Sequence, residues 1–192
     1  NLVEARRPDL DRGTLNPMNL GAALSHHFPE NAVVVDEGGT AGGGCSGATR
    51  GAAPHDWLML TGGSIGYGLP CATGAAVACP DRPVICLQGD GGGMYTLQAL
   101  WTQAREKLNV TNIILANQKY SILQIEFGRV GAHNPGPKAM SMLDLTNPEL
   151  RWTQLAEGMG VPAWRVHTVE EFSTALQASF ASEGPTLIEA ML

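Results

Sequence analysis

The 192 residues suffice for one sizeable α/β domain with its own core, and a first residue of Asn rather than Met reads as a fragment of a longer protein. A formal net charge of -6 with only 12 Lys and Arg argues against a nucleic-acid partner, and no apolar run reaches the ~20 residues that a membrane span needs. The four cysteines, Cys45, Cys71, Cys79 and Cys86, show neither Cys-x-x-Cys spacing nor a His at metal-site spacing, so they read as core thiols of a soluble, cytoplasmic protein.

Residues 1–16 carry charges and Pro8 without a sustained period, which reads as an interdomain linker ahead of a domain spanning 17–192. Asn16-Pro17 then supplies a helix cap with Pro at the first helical position. Leu20, Ala23, Leu24 and Phe28 give that helix its apolar face, and Pro29 ends it. His26 and His27 fall at its carboxyl end, where the helix dipole tolerates positive charge, and are read as structural. The run Asn31-Ala32-Val33-Val34-Val35-Asp36 predicts a short buried strand that passes directly into Glu37-Gly38-Gly39-Thr40. Residues 41–56 have no usable period and predict a mobile active-site loop, in which Arg50 and His55 are equally open to structural and functional roles. Trp57 to Thr61 reads as a second strand, followed by Gly62-Gly63-Ser64-Ile65-Gly66 and a helix of small residues over 71–78.

Pro83-Val84-Ile85-Cys86-Leu87-Gln88 predicts a third, fully buried strand, and it runs into Gly89-Asp90-Gly91-Gly92-Gly93. From Met94 the pattern turns helical, with Leu97, Leu100, Trp101 and Ala104 on one face, and 110–116 predicts a strand that ends on Asn117. In a right-handed strand-helix-strand unit both strands end on the same sheet edge, so Asp90 and Asn117 can approach each other. One carboxylate oxygen, one amide oxygen, glycine N–H groups and a helix amino terminus suit magnesium carrying a diphosphate. The clustering of the 24 glycines into several such turns marks places where backbone approaches a ligand or another chain closely.

Beyond Asn117, residues 120–127 predict a short helix and residues 128–147 a long segment rich in Gly, Pro and Asn, with His133 as a candidate functional group. Asn147-Pro148 reads as the opening of a helix that turns Leu150, Trp152, Leu155 and Met159 inward. A strand over 161–166, a capping box at Thr168-Val169-Glu170-Glu171, a helix to about residue 182 and a last strand over 186–190 complete the pattern. The fold class is α/β: a doubly wound, mostly parallel sheet of about six strands with helices on both faces.

Through Gly89-Asp90-Gly91 and Asn117 the chain resembles the thiamine diphosphate-dependent enzymes, whose motif is Gly-Asp-Gly, a spacer of the length found here, then Asn-Asn. Ala116 stands in place of the first Asn. The resemblance implies that Asp90 and Asn117 give side-chain oxygens, and Lys119 its backbone carbonyl, to Mg²⁺. It also implies that Gly38, Gly39 and Thr40, together with Gly89, Gly91, Gly92 and Gly93, face the cofactor diphosphate, Gly92 standing where relatives often place Ser. In the same reading Ile65 supports the bent cofactor, the Gly63 carbonyl accepts from its pyrimidine amino group, and Ser64 and Tyr120 complete the binding set. Tyr95 either covers the cofactor or packs, with packing favoured, and Glu37 is read as structural or substrate-facing.

The likeness is nearest to the benzoylformate decarboxylase and acetohydroxyacid (acetolactate) synthase branch. It implies the carboxyl-terminal, diphosphate-binding domain of a decarboxylase or carboligase acting on 2-oxo acids. Residues 128–147 would help to close the active site over the substrate. The activating Glu would come from a pyrimidine-binding domain of the same or a neighbouring chain, so that the domain alone is inactive and the protein a homodimer or homotetramer. Two alternatives stand beside this reading: the small subunit of a split 2-oxo acid decarboxylase, and a non-catalytic Rossmann-type nucleotide-binding module. Against the latter, Gly89-Asp90-Gly91-Gly92-Gly93-Met94 misses the last glycine of Gly-x-Gly-x-x-Gly.

Overall fold

A computed structural model describes residues 7–192. Helix α1 (Pro17–His27) begins as its sequence predicts. The Asn16 side chain accepts from the Met18 and Asn19 N–H groups, and the Asn19 side chain returns a bond to the Asn16 N–H. Strand β1 (Val33–Glu37) follows, then the short helices α2 (Gly39–Gly42) and α3 (Cys45–Ala48). Strand β2 (Asp56–Met59), helix α4 (Gly68–Ala78), strand β3 (Val84–Gly89), the single turn α5 (Asp90–Gly93), helix α6 (Ala99–Glu106) and strand β4 (Val110–Ala116) form the central part. Helices α7 (Ser121–Arg129), α8 (Pro137–Ser141) and α9 (Trp152–Gly158) lead to β5 (Ala163–Val166), α10 (Val169–Phe180) and β6 (Thr186–Met191). The predicted capping box of α10 is present, with Thr168 accepting from the Glu171 N–H.

The six strands form one parallel sheet in the order β2-β1-β3-β4-β6-β5. Side chains alternate between two cores, as a period of two requires. Val34, Ile85, Leu87, Ile113 and Leu115 face α1 and α10, whereas Val33, Val35, Val84, Cys86 and Ile114 face α4, α6 and α9. Each large side chain that is fully buried here, among them Trp152, Phe172 and Leu69, contributes about 1.5–3 kcal/mol. This is what lets the weakly helical, glycine-rich segments stay folded. The chain moves from β1 outward to β2 and then back across to β3, so the winding reverses between β1 and β3.

Four sequence expectations need correction. Residues 41–56 are not a mobile loop: α3 and a 3-10 turn at Thr49–Gly51 pack under α1, with Cys45 and Thr49 buried. Close packing explains it, since a Cβ on Gly21 would lie 3.2 Å from Ala48 Cβ and one on Gly44 3.0 Å from the Pro17 carbonyl. Trp101 is 53% exposed and stacks under the Arg105 guanidinium at 5.2 Å. Helix α6 starts only at Ala99, which puts Leu100 and Gln103 on the inner face instead. Pro148 opens no helix; it follows a cis peptide bond, and α9 starts at Trp152. The long Gly-, Pro- and Asn-rich segment over 128–147, which its composition marks as a loop, contains the short helix α8.

The linker expectation falls partly on residues 1–6, which lie outside the described residues. Residues 13–15 are held against the domain, Leu15 N–H donating to the His167 carbonyl and Val169 N–H to the Gly13 carbonyl, each at 2.8 Å.

Candidate functional site

The reversal between β1 and β3 opens a crevice at the carboxyl ends of the strands, the place where open α/β sheets bind ligands. A cavity of about 450 Å³ fills it. Glu37 to Ala41 line one wall, Gly89 to Gly92 the floor, and Asn117 with Lys119 to Ile122 the other wall, with Leu60, Gly63, Ile65 and Leu115 adding apolar surface. The register pairs Glu37 with Gln88 and Gly89 with Leu115, which brings all three strand ends to one level.

Asp90 is buried on the cavity floor. Its Oδ1 accepts from the Gly91 N–H at 2.9 Å and its Oδ2 from the Gln118 N–H at 2.7 Å. Burial pushes its carboxyl up from the usual range, against the pull of these two N–H groups and with added repulsion from Glu189. Among the described residues no cation pairs with it. Asn117 stands at the end of β4, where its Oδ1 accepts from the Lys119 N–H at 3.2 Å and its Nδ2 donates to Ser121 Oγ at 3.0 Å. Gln118 between them adopts φ +56°, the left-handed region, and so turns the chain back across Asp90.

The glycines of the floor answer to close protein packing as much as to any ligand. A Cβ on Gly91 would stand 2.4 Å from the Tyr120 ring, and one on Gly93 2.7 Å from the Trp152 ring. One on Gly92 would stand 2.7 Å from Glu37 Oε1, which explains why a Ser is not accommodated there. Glu37 itself is buried; its Oε1 accepts from the Gly66 N–H at 2.7 Å and its Oε2 from the Gly68 N–H at 2.5 Å. With its amide nitrogen turned toward Glu37, Gln88 donates to Oε2 at 3.3 Å and accepts from the Gly93 N–H at 3.1 Å. Glu37 thus anchors the first turn of α4, and with it the turn that carries Gly63 and Ile65.

Of the residues singled out from the sequence, Gly38, Gly39, Thr40, Gly63, Ile65, Gly89, Asp90, Gly91, Gly92, Asn117, Lys119 and Tyr120 share this cavity. Ser64 and Gly93 lie outside its wall, Gly93 because the Trp152 ring covers it. His133 is exposed and also outside the cavity. His55 packs between Phe28 and Trp57 at the start of β2, the opposite end of the sheet. Its Nδ1 lies 2.7 Å from the Ala53 carbonyl, so its role is structural. Sequence reasoning missed Ser121 and Ile122, which enter the wall because α7 begins directly after the Asn117 turn.

Residues 42–190 match the family described as thiamine pyrophosphate enzyme, C-terminal TPP binding domain. The chain belongs to this family. As such a thiamine pyrophosphate enzyme domain it is 53% identical, over 98% of its length, to the Mycobacterium tuberculosis protein IlvX, which carries the provisional name acetolactate synthase large subunit. It is 32% identical over 92% of its length to a Pseudomonas aeruginosa benzoylformate decarboxylase. Among solved structures, a thiamine diphosphate-dependent 4-hydroxybenzoylformate decarboxylase of Rhodococcus jostii RHA1 superposes with a TM-score of 0.83 at 34% identity, covering 93% of the chain and 32% of that protein. The chain spans about a third of the length of the curated relatives, 37% of the first and 32% of the second.

The residues present fit the cofactor that names the family. Asp90 is a buried carboxylate that among the described residues is satisfied by N–H groups alone, which leaves a place for a cation. No cluster of three or more His, Cys, Asp or Glu among the described residues could hold a metal unaided. A single acid beside an amide oxygen and backbone suits a Mg²⁺ that takes its other oxygens from a phosphate ligand. None of the helices among the described residues is long and apolar enough to cross a membrane.

Proposed function

We propose that this chain is the diphosphate-binding domain of a thiamine diphosphate- and Mg²⁺-dependent decarboxylase or carboligase that acts on 2-oxo acids. The observation that carries the reading is the buried Asp90 at the winding reversal, which among the described residues pairs with no cation and is bracketed by the Gly91 and Gln118 N–H groups. Asp90, Asn117 and the Lys119 carbonyl would hold the metal. Gly38, Gly39, Thr40 and the N–H groups from Gly89 to Gly92 would receive the diphosphate, while Gly63 and Ile65 would support the organic part. When bound, the cofactor supplies the electron sink that a 2-oxo acid needs to lose carbon dioxide. The protein's own share is positioning and exclusion of water: Ile65, Leu60, Leu115 and Ile122 give the cavity its apolar lining.

The activating carboxylate would come from a pyrimidine-binding domain of the same or a neighbouring chain in a homodimer or homotetramer. The apolar surface left on Ile122, Leu123, Ile125 and Tyr95 supports such a neighbour. Four free thiols, two of them buried, suit a reducing cytoplasm. The full-length protein is expected to release carbon dioxide from benzoylformate or pyruvate only with thiamine diphosphate and magnesium, and residues 7–192 alone to release none. Full-length protein that binds the cofactor yet releases no carbon dioxide from a panel of 2-oxo acids would overturn the activity while leaving the site.

A further inference from the structure

Gln118 holds a backbone conformation that a long L side chain disfavours, φ +56°, at the position that shapes the cavity's polar wall. Rotating φ back would turn the following chain, and with it the Lys119 carbonyl, away from its present direction relative to the Gln118 N–H, which meets Asp90 Oδ2 at 2.7 Å. Two contacts oppose that rotation. The Gln118 carbonyl accepts from the Leu145 N–H at 3.0 Å, and its side-chain Nε2 donates to Glu149 Oε1 at 3.3 Å.

Glu149 is itself fixed, outside the cavity. Arg165 Nη2 donates to its Oε1 at 2.5 Å and to Glu189 Oε1 at 3.2 Å, while Arg151 Nε stands 3.8 Å from Oε2. Glu189 is buried in β6, where its Oε2 accepts from the Thr153 N–H at 3.3 Å. One cation is therefore shared between two carboxylates, and the assembly ties β5, β6 and α9 to the turn that carries Asn117. Neither Gln118 nor any of these ionic residues lines the cavity.

We propose that Gln118 is a positioning residue, and that its bond to the Arg165-anchored Glu149 holds the turn after β4 in the left-handed shape that magnesium diphosphate binding requires. The proposal rests on the cofactor reading given above. It makes two requirements interchangeable: a side-chain tie at 118, or a glycine there that needs none.

The test is calorimetric titration of the cofactor-free, full-length protein with thiamine diphosphate at fixed magnesium, together with its melting temperature. Gln118→Ala and Glu149→Leu should each weaken binding roughly tenfold. Gln118→Gly should bind within roughly threefold of wild type, and should restore affinity when added to Glu149→Leu. Melting of the cofactor-free protein should stay close to wild type in all of them. Unchanged affinity in Gln118→Ala and Glu149→Leu would overturn the proposal. So would a Gln118→Gly protein as weak as Gln118→Ala, or a fall in melting temperature that tracks the loss of affinity. Asp90→Ala serves as the control: if it binds normally, or if wild type binds nothing, the cofactor reading itself fails and the proposal with it.

Discussion

Asp56 and Asp90 sit at opposite ends of one parallel sheet. Asp56, at the start of β2, is exposed and meets Arg82 Nη2 at 2.6 Å, while the same guanidinium donates to the Asn31 and Ala32 carbonyls. Asp90, just beyond β3, is buried, and among the described residues has only two backbone N–H groups for company. At the amino end of the strands the chain closes its own polar groups with its own cations. At the carboxyl end, glycine turns and N–H groups converge on a carboxylate that no cation among the described residues compensates. The first arrangement stabilises; the second keeps a site ready for a cation and its anion at some cost to the folded state.

The comparison can be broken most forcefully at Gly91. Gly91→Ala puts a methyl group 2.4 Å from the Tyr120 ring, so the ring and the turn must part. The expected result is a loss of cofactor affinity of more than about tenfold and a destabilisation of about 1–3 kcal/mol, read by titration and by chemical denaturation. Arg82→Leu probes the other end. It should cost about 1 kcal/mol in denaturation, since one exposed ion pair and two backbone caps are lost, and should leave cofactor affinity unchanged.

The smallest effect concerns His27, at the carboxyl end of α1, whose Nε2 is buried with no hydrogen-bond partner among the described residues. Burial, and then the neighbouring His26 charge, lower its pKa from 6.5. The folded state thus binds this proton less readily than the unfolded chain. The stability it contributes is present above the unfolded value and is lost as pH falls through it toward the lowered value. His27→Gln should flatten that part of the pH dependence relative to wild type in denaturation midpoints taken across the window, without altering the cofactor site.

How much of this was legible depends on how local the cause is. The apolar run into Gly89-Asp90-Gly91 and the strand ending at Asn117 carry their own period, so the sheet, its winding and the meeting of both residues at one edge could be read directly. Glu37 could not be resolved, because its role as acceptor for the Gly66 and Gly68 N–H groups depends on the β1–β3 register and on where α4 docks. Gly93 read as a ligand contact, but its demand for glycine comes from Trp152, far along the chain. The order of residues 41–56 was hidden for the same reason: Gly21 and Gly44 permit a close approach between α1 and α3 that no period announces. The Gln118 tie to Glu149 joins two turns with no sequence pattern in common.

The most direct measurement is calorimetric titration of the cofactor-free, full-length protein with thiamine diphosphate, with and without magnesium, beside Asp90→Asn. Binding should require the metal and should weaken by roughly a hundredfold or more in the variant. Binding that ignores magnesium, or that survives Asp90→Asn unchanged, would contradict the metal-binding role of Asp90.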